Sequence, residues 1–71
     1  MNRINPNKLL NSKWTAVQPV NRQRHFIVTD VIKSNDGLLT TCELEAVLTR
    51  KVSELDWREL KDSSLWVMGW K

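Results

Sequence analysis

The side chains that could act as a nucleophile and its base are few in this sequence. Cys42 is the single cysteine and His25 the single histidine, so they are the candidates for a thiolate–imidazole pair. A turn near residues 34–37 would pair residues whose numbers sum to about 71, placing His25 opposite position 46 and Cys42 opposite position 29. The two side chains are therefore not expected to meet. Cys42 lies on the apolar side of its segment, where a free cysteine acts as a small core hydrophobe.

Three acids close together, Glu54, Asp56 and Glu59, are the candidates for acid–base catalysis or cation binding. Glu54 and Asp56 are two residues apart, so they share one face of a strand, next to Arg58. This spacing is typical of a solvated, charged strand face. One histidine and scattered carboxylates do not make a metal site, and no glycine-rich phosphate loop is present. We predict no catalytic residue, no metal and no cofactor, and we expect that the protein is not an enzyme.

Basic residues and tryptophans remain as candidates for ligand binding. Residues 1–24 hold five basic residues and no acid, whereas residues 25–71 hold six basic residues and eight acids, so the net charge of +3 is unevenly distributed. Nucleobases stack on aromatic rings while phosphates meet cations, and small β domains often combine both. A non-catalytic module that binds single-stranded nucleic acid is therefore one hypothesis. Its predicted ligand-binding residues are Lys13, Arg22, Arg24, His25, Trp66 and Trp70.

The same residues also fit less specific roles. An indole buries about 150–250 Å², so Trp14, Trp57 and Trp66 are expected to supply much of the core of a short chain. Trp70, next to Gly69, is the tryptophan least expected to be buried, and dispersed basic residues are common on ordinary surfaces. An alternative function is a protein-interaction module or small regulator. In that case a tryptophan-rich patch at residues 66–70, or an open sheet edge, would bind a peptide or a partner domain.

Alternating apolar and polar residues predict about five short strands that would position these side chains. The strand-like segments are residues 13–17, 25–33, 38–48, 52–57 and 66–70. Residues 34–37, ending in Gly37, predict a tight turn that joins the second and third strands as an antiparallel hairpin. Residues 42–48 also contain good helix formers, so a helix remains an alternative there. Residues 18–25, with Pro19, are predicted to form a loop.

Two short helical segments complete the predicted architecture. Asn5 and Pro6 are a suitable cap and first residue for a short N-terminal helix, with Leu9 and Leu10 on its buried side. Trp57 and Leu60, three residues apart, predict a 3₁₀ turn before the last strand. The expected fold is mainly β: a small five-stranded antiparallel SH3-like barrel over residues 13–71, preceded by an arm or short helix over residues 1–12. Closure would remove the exposed strand edges.

Length and composition limit the cellular setting. The 71 residues are enough for one domain, and a single cysteine excludes an intramolecular disulfide. The first residues lack the apolar run of a signal peptide, and no segment approaches the roughly 18 apolar residues of a membrane span. We therefore expect a cytoplasmic protein without membrane contact. A monomer or a weak homodimer is expected, because dimerisation would bury an additional tryptophan.

Two parts of the sequence resemble a known family. One is the segment from Trp57 to Asp62, WRELKD, followed by Trp66 and by Gly69-Trp70. The other is the opening from Asn5-Pro6 through Leu9-Leu10 to KWTA at residues 13–16, and His25-Phe26 and residues 42–47 extend the similarity over essentially the whole chain. The family is that of short bacterial proteins called tryptophan-rich conserved hypothetical proteins. Because its function is uncharacterised, the resemblance implies no activity and no site residue.

Overall fold

The computed structural model describes residues 2–71 as a single five-stranded sheet. The strands are β1 (Lys13–Val20), β2 (Gln23–Lys33), β3 (Leu39–Ala46), β4 (Val52–Asp56) and β5 (Trp66–Met68). They lie in the order β4-β3-β2-β1-β5, and every neighbouring pair is antiparallel. Two 3₁₀ turns, Pro6–Lys8 and Trp57–Lys61, precede β1 and β5. The mainly β architecture, the five antiparallel strands and the 3₁₀ turn before the last strand are confirmed.

The sheet is not closed into a barrel, so the predicted closure was wrong and the SH3-like assignment is not confirmed. β4 and β5 are the two ends of the sheet and do not pair with each other. β5 is only three residues long, and the Trp57–Lys61 turn occupies the chain between β4 and β5. Leu60 from this turn is fully buried against the sheet. The turn is thus packed on the sheet through Leu60, while β4 and β5 remain apart.

The core lies on one face of the sheet, which we call the inner face. Residues directly opposite each other on neighbouring strands share a face, so the register places Trp14, Phe26, Val28 and Leu44 together there. The indole N–H of Trp14 donates to Ser12 Oγ at 2.8 Å, so its one polar atom is satisfied inside the protein. The fully buried cluster consists of Leu9, Trp14, Val28, Cys42, Leu44 and Leu60.

The N-terminal segment forms one 3₁₀ turn, and the predicted short helix is not confirmed. Asn5 caps this turn, because its side-chain oxygen accepts the N–H of Asn7 at 3.0 Å. The turn ends after three residues, and a helix of that length gains too few hydrogen bonds to be stable alone. Leu9 is buried as predicted, whereas Leu10 is 48% exposed. The two leucines therefore do not form one buried side, as the predicted helix required.

Hydrogen bonds attach the N-terminal segment to the sheet at two places. The Asn2 side chain donates to the carbonyl oxygens of Leu60 at 2.9 Å and Trp66 at 2.7 Å. Val28 in β2 donates its N–H to Ser12 and accepts the N–H of Asn11, both at 2.9 Å. The segment therefore holds the Trp57–Lys61 turn and β5 over the same core that receives Leu9.

The predicted loop at residues 18–25 is a tight hairpin instead. β1 continues to Val20, β2 begins at Gln23, and Asn21 and Arg22 between them have φ angles of 54° and 64°. Two positive φ values are typical of a type I′ turn, which is usually signalled by glycine. The sequence contains no glycine here, so this signal was absent. Pro19 is tolerated within β1 because β5 pairs only with Trp14–Ala16 and does not reach it.

The hairpin of β2 and β3 confirms the strand alternative for the segment after Gly37. Gly37 has a φ of 83°, and its N–H donates to Ser34 at 2.9 Å. The register differs from the predicted one: Val28 lies opposite Leu44, but the next pair is Asp30 with Glu43. A bulge at Thr29 causes this shift of one residue. A second irregularity between Ile32 and Lys33 leaves Thr40 without a partner, and Cys42 lies opposite Val31 instead of position 29.

This register places three carboxylates in one row on the outer face of the sheet. Asp30 in β2 lies opposite Glu43 in β3, and Glu43 lies opposite Glu54 in β4. Like charges directly opposite each other destabilise a sheet. Glu45 has the same outward orientation, but its neighbours across the strands are Ile27 and Val52.

The contrast between Leu9 and Leu10 leads to a stability prediction. Leu9→Ala should lower the free energy of unfolding by about 2–5 kcal/mol, because a buried leucine is replaced by a cavity. Leu10→Ala removes the same atoms from an exposed position and should change it by less than about 0.5 kcal/mol. Urea unfolding monitored by tryptophan fluorescence measures both values. Equal losses in the two variants would contradict the docking of Leu9 in the core.

The carboxylate row leads to a second prediction. Glu43→Lys should raise the free energy of unfolding by about 0.5–1 kcal/mol, because a lysine between Asp30 and Glu54 replaces two repulsive pairs with attractive ones. Glu45→Lys makes the same charge change between apolar neighbours and should have little effect. Urea titrations at low and high salt measure the difference, which should shrink as salt screens the charges. A loss of stability in Glu43→Lys alone would contradict the register.

Candidate functional site

Three of the six predicted ligand-binding residues, Lys13, His25 and Trp70, come together on the outer face of the sheet. Lys13 Nζ lies 4.8 Å from the centroid of the Trp70 ring. The His25 ring centroid lies 5.8 Å from that of Trp70, with an angle of 30° between the planes. Lys13 and His25 are on adjacent strands, two pairing positions apart, so the sheet itself positions them. The result is an aromatic ring with a primary ammonium and an imidazole beside it.

The C-terminal residues bring Trp70 to this position. Gly69 donates its N–H to the Lys13 carbonyl at 2.7 Å and has a φ of 80°, a value that favours glycine and redirects the chain. Thr15 then holds the following residues: its hydroxyl donates to the Gly69 carbonyl at 2.7 Å and accepts the Lys71 N–H at 2.9 Å. Thr15 is 4% exposed, so the chain end covers it.

Two further hydrogen bonds fix the rings. The indole N–H of Trp70 donates to the Phe26 carbonyl at 2.9 Å, and His25 Nε2–H donates to the Lys71 carbonyl at 2.9 Å. Trp70 nevertheless remains 43% exposed. Its ring is therefore held at one edge and still available to solvent, which is the arrangement that a stacking platform requires.

Additional positive charge lies next to this ring. Arg24 and Lys71 both line a shallow groove of about 420 Å³ on the same side of the sheet, together with Thr15 and Val67. Lys71 directly follows Trp70, and Arg24 directly precedes His25. We call these residues the Trp70 surface: Lys13, Arg24, His25, Trp70 and Lys71.

The structure does not bring the other two predicted residues to the Trp70 surface. Arg22 lies in the turn between β1 and β2, at the end of that hairpin. Trp66 lies opposite Ala16 on the inner face, where its ring packs edge-to-face on Phe26 with centroids 5.2 Å apart. The two-residue period of a strand would place Trp66 and Trp70 on one face. The strand ends at Met68 and the chain changes direction at Gly69, which separates the two rings.

Sequence reasoning missed Thr15 and Lys71 as parts of this site. Thr15 acts through hydrogen bonds to the chain end, and a threonine within a strand carries no signal of that role. Lys71 directly follows Trp70 in the sequence, and this adjacency could have identified Lys71 as a candidate. The expected basic N-terminal third contributes Lys13 and Arg24 to the surface, and Lys71 adds a charge from the opposite end of the chain.

The remaining tryptophans belong to the core or its margin. Trp14 is 1% exposed, and Trp57 and Trp66 are partly buried against the core cluster. Trp57 also has a lysine over its ring, with Lys61 Nζ 4.5 Å from the centroid. This second lysine–tryptophan pair lies in the Trp57–Lys61 turn, away from the Trp70 surface. It provides a matched control for experiments on Lys13.

Of the acids at residues 54–59, Asp56 has a structural role. Asp56 caps the Trp57–Lys61 turn: one carboxylate oxygen accepts the Arg58 N–H at 3.0 Å, and the other accepts Arg58 Nη2 at 2.8 Å. Hydrogen bonds from the Arg58 side chain and backbone lower the pKa of Asp56 to about 2. The cap therefore contributes to stability above the ordinary pKa of 3.8 and is lost as pH falls through about 2.

Residues 2–71 contain neither a metal-binding cluster nor a membrane-spanning helix. No group of three or more histidine, cysteine, aspartate or glutamate side chains in this part of the chain is arranged to hold a metal ion. No helix formed by these residues combines the length and apolar character that crossing a membrane requires.

Cys42 is a core residue, as expected. Its side chain is fully buried, and burial is the main reason that the pKa of its thiol is raised from 9.0 to about 11. We therefore predict that a disulfide reagent will not modify Cys42 in the native protein at pH 8 and will modify it fully in urea. Rapid modification without denaturant would contradict this burial.

The same pKa shift predicts a pH dependence of stability. The native state holds the thiol proton more tightly than the unfolded chain, so this contribution is complete below pH 9 and lost as pH rises towards about 11. The difference in free energy of unfolding between the wild type and Cys42→Ala should shrink across this range. A difference that stays constant would contradict the shift.

Comparisons with known proteins place the chain in a family. The sequence profile of a family described as Tryptophan-rich protein (DUF2389) matches residues 12–71. A search of curated proteins and a search of solved structures each found no match. The match includes β1 to β5 and every residue of the Trp70 surface, so the resemblance expected from the WRELKD segment and the later tryptophans is confirmed. The chain belongs to this tryptophan-rich protein family, whose function is uncharacterised.

Proposed function

We propose that this protein is a non-catalytic binding module whose ligand is single-stranded nucleic acid. The observation that carries the proposal is the exposed, hydrogen-bonded ring of Trp70 with Lys13 Nζ 4.8 Å from its centroid. Arg24 and Lys71 line a groove on the same side of the sheet, so further cations are available for the phosphates of a bound strand. Modules that bind single strands without strong sequence preference use this combination of a stacking ring and flanking cations.

Lys13 and a nucleobase compete for the face of the Trp70 ring, and the energies of the two contacts favour the base. A cation over an exposed ring is worth about 0.5–1 kcal/mol, whereas a base stacked on an aromatic side chain is worth about 1–3 kcal/mol. A base that takes the place of the Lys13 ammonium therefore gains more than it displaces. The released ammonium then lies near the backbone of the same nucleotide and pairs with a phosphate.

The site is already organised before a ligand binds. Thr15, Phe26 and His25 hold the chain end through hydrogen bonds of 2.7 to 2.9 Å, so little further ordering of Trp70 is needed on binding. Stacking on the ring and contacts to phosphate do not depend on which base is bound. Binding through the Trp70 surface should therefore tolerate different sequences.

Titration with a single strand tests the proposal. Fluorescence anisotropy of a labelled oligothymidylate of about 15 nucleotides should report binding that weakens with salt, with a slope of log K against log salt of roughly −2 for three cations. Trp70→Ala should weaken binding about 5- to 150-fold, the equivalent of one lost stacking contact. The oligouridylate of the same length should bind similarly.

Lys61→Ala is the matched control for Lys13→Ala. Both variants lose one charge and one lysine–tryptophan contact, at 4.5 Å for Lys61 and 4.8 Å for Lys13. Lys13→Ala should weaken binding and reduce the salt slope by about 0.7, whereas Lys61→Ala should leave both values unchanged. Absence of binding at low salt, binding that does not respond to salt, or equal effects of the two variants would refute the proposal.

A further inference from the structure

The outer edge of β4 has backbone groups that no strand pairs with among residues 2–71. β4 pairs with β3 alone, at the end of the sheet. The N–H of Ala46 donates to the Lys51 carbonyl at 2.8 Å, which fixes Leu44–Ser53 and Cys42–Leu55 as the hydrogen-bonded pairs of this ladder. The N–H and C=O groups of Val52 and Glu54 therefore point away from β3.

An apolar groove lies next to this edge, where the sheet fails to close. It has a volume of about 460 Å³ and is bounded by β4 on one side and by β1 and β5 on the other. Phe26, Leu44, Leu55 and Trp66 form its apolar lining on the inner face. The volume lies within the range of ligand-binding pockets, about 300–1,000 Å³.

The facing edge of β1 does not offer an equivalent ladder. Val17 donates its N–H to Leu65 at 2.9 Å, so the next residue of β1 that points the same way is Pro19. Proline has no N–H, and this position is therefore unable to donate to an added strand. Among residues 2–71, the β4 edge therefore presents both donors and acceptors along its length, and the β1 edge at Pro19 does not.

The outer face of the same edge is acidic. Glu54 ends the row that begins with Asp30 and continues through Glu43. Glu54 is exposed, and a strand added beside β4 would place one of its own side chains directly opposite it. A basic side chain at that point would reduce the repulsion within the row. The edge therefore favours lysine or arginine on one side of an added strand and an apolar residue on the other.

We propose that the β4 edge binds an extended peptide as a sixth strand, with apolar side chains in the groove and basic side chains opposite Glu54. The backbone of the peptide pairs with Val52 and Glu54, a mode of recognition known as β-augmentation. β4 has five residues, so the paired segment of the peptide is of similar length. This site is on the inner side and edge of the sheet and is independent of the Trp70 surface.

A peptide of about seven alternating lysine and valine residues, acetylated and amidated, is the probe for this site. Its lysines and valines match the two faces of the edge. We expect weak binding, with a Kd on the order of 10–100 μM, because the area available is small. In an antiparallel added strand the lysine opposite Glu54 forms the hydrogen-bonded pair. Methylating the backbone nitrogen of one of the two lysines next to the central valine therefore keeps the charge and removes a donor to β4, so binding should fall about tenfold. Replacing the lysines of the probe with glutamates should abolish binding.

Backbone substitution tests the pairing directly. Val52→Pro removes an outward N–H at an edge position where proline is tolerated, and it should weaken probe binding about tenfold. Met68→Pro is the matched control, because Met68 lies next to the Val67–Thr15 pair and points outward from β5, the opposite edge of the sheet. Circular dichroism establishes that both variants fold. A variant pair with equal affinities would overturn the proposal.

Reversal of the charge at Glu54 and amide hydrogen exchange at β4 provide two further tests. Glu54→Lys should lose the lysine probe and gain the glutamate probe. The bound lysine probe should also slow amide hydrogen exchange at Val52 and Glu54. Trp70→Ala should leave the affinity for the lysine probe unchanged, and Val52→Pro should leave oligonucleotide binding unchanged. No binding at millimolar probe, or protection confined to the Trp70 surface, would refute a peptide site at β4 without affecting the proposal for nucleic acid.

Discussion

The indole of Trp14 is enclosed at the centre of the inner face, and its single polar atom is bonded to Ser12 Oγ at 2.8 Å. Ser12 in turn donates to the Leu9 carbonyl at 2.5 Å, so the bond that satisfies the indole also holds the N-terminal segment. Leu9 from that segment and Leu60 from the Trp57–Lys61 turn cover the remaining sides of the ring. One aromatic side chain thus organises a sheet that five short strands do not close.

The open sheet determines where the two proposed sites lie. Because β4 and β5 do not meet, β4 keeps a free edge beside an apolar groove, and the chain end after β5 is free to turn onto the outer face. The two proposed sites have opposite charge. Lys13 lies over the exposed indole and Arg24 and Lys71 line a groove on the same face, while the carboxylate row leads to the β4 edge. A closed barrel would remove the β4 edge, so the proposed peptide site depends on the shortness of β5.

Local signals in the sequence predicted much of the fold, and long-range ones did not. The turn at residues 34–37 and the alternation around Cys42 and Leu44 identified the central hairpin, because each depends on neighbours in the chain. The bulge at Thr29 and the turn at Asn21-Arg22 lack a sequence signal, since no glycine marks the positive φ angles of the turn. Closure would require β5, which pairs with β1 across about fifty residues, to pair with β4 as well. His25, Trp70 and Lys13 were identified as residue types, but their meeting depends on Gly69 and Thr15.

Hydrogen exchange of the four indole N–H groups, followed by NMR, tests the central role of Trp14 most directly. The Trp14 N–H is bonded inside the core, whereas the Trp70 N–H is bonded to the Phe26 carbonyl at a partly exposed ring. Trp14 is expected to exchange only through global unfolding, with a protection free energy equal to that measured by urea, and Trp70 is expected to exchange much faster through local opening. Exchange of Trp14 as fast as that of Trp70 would contradict the central role of Trp14.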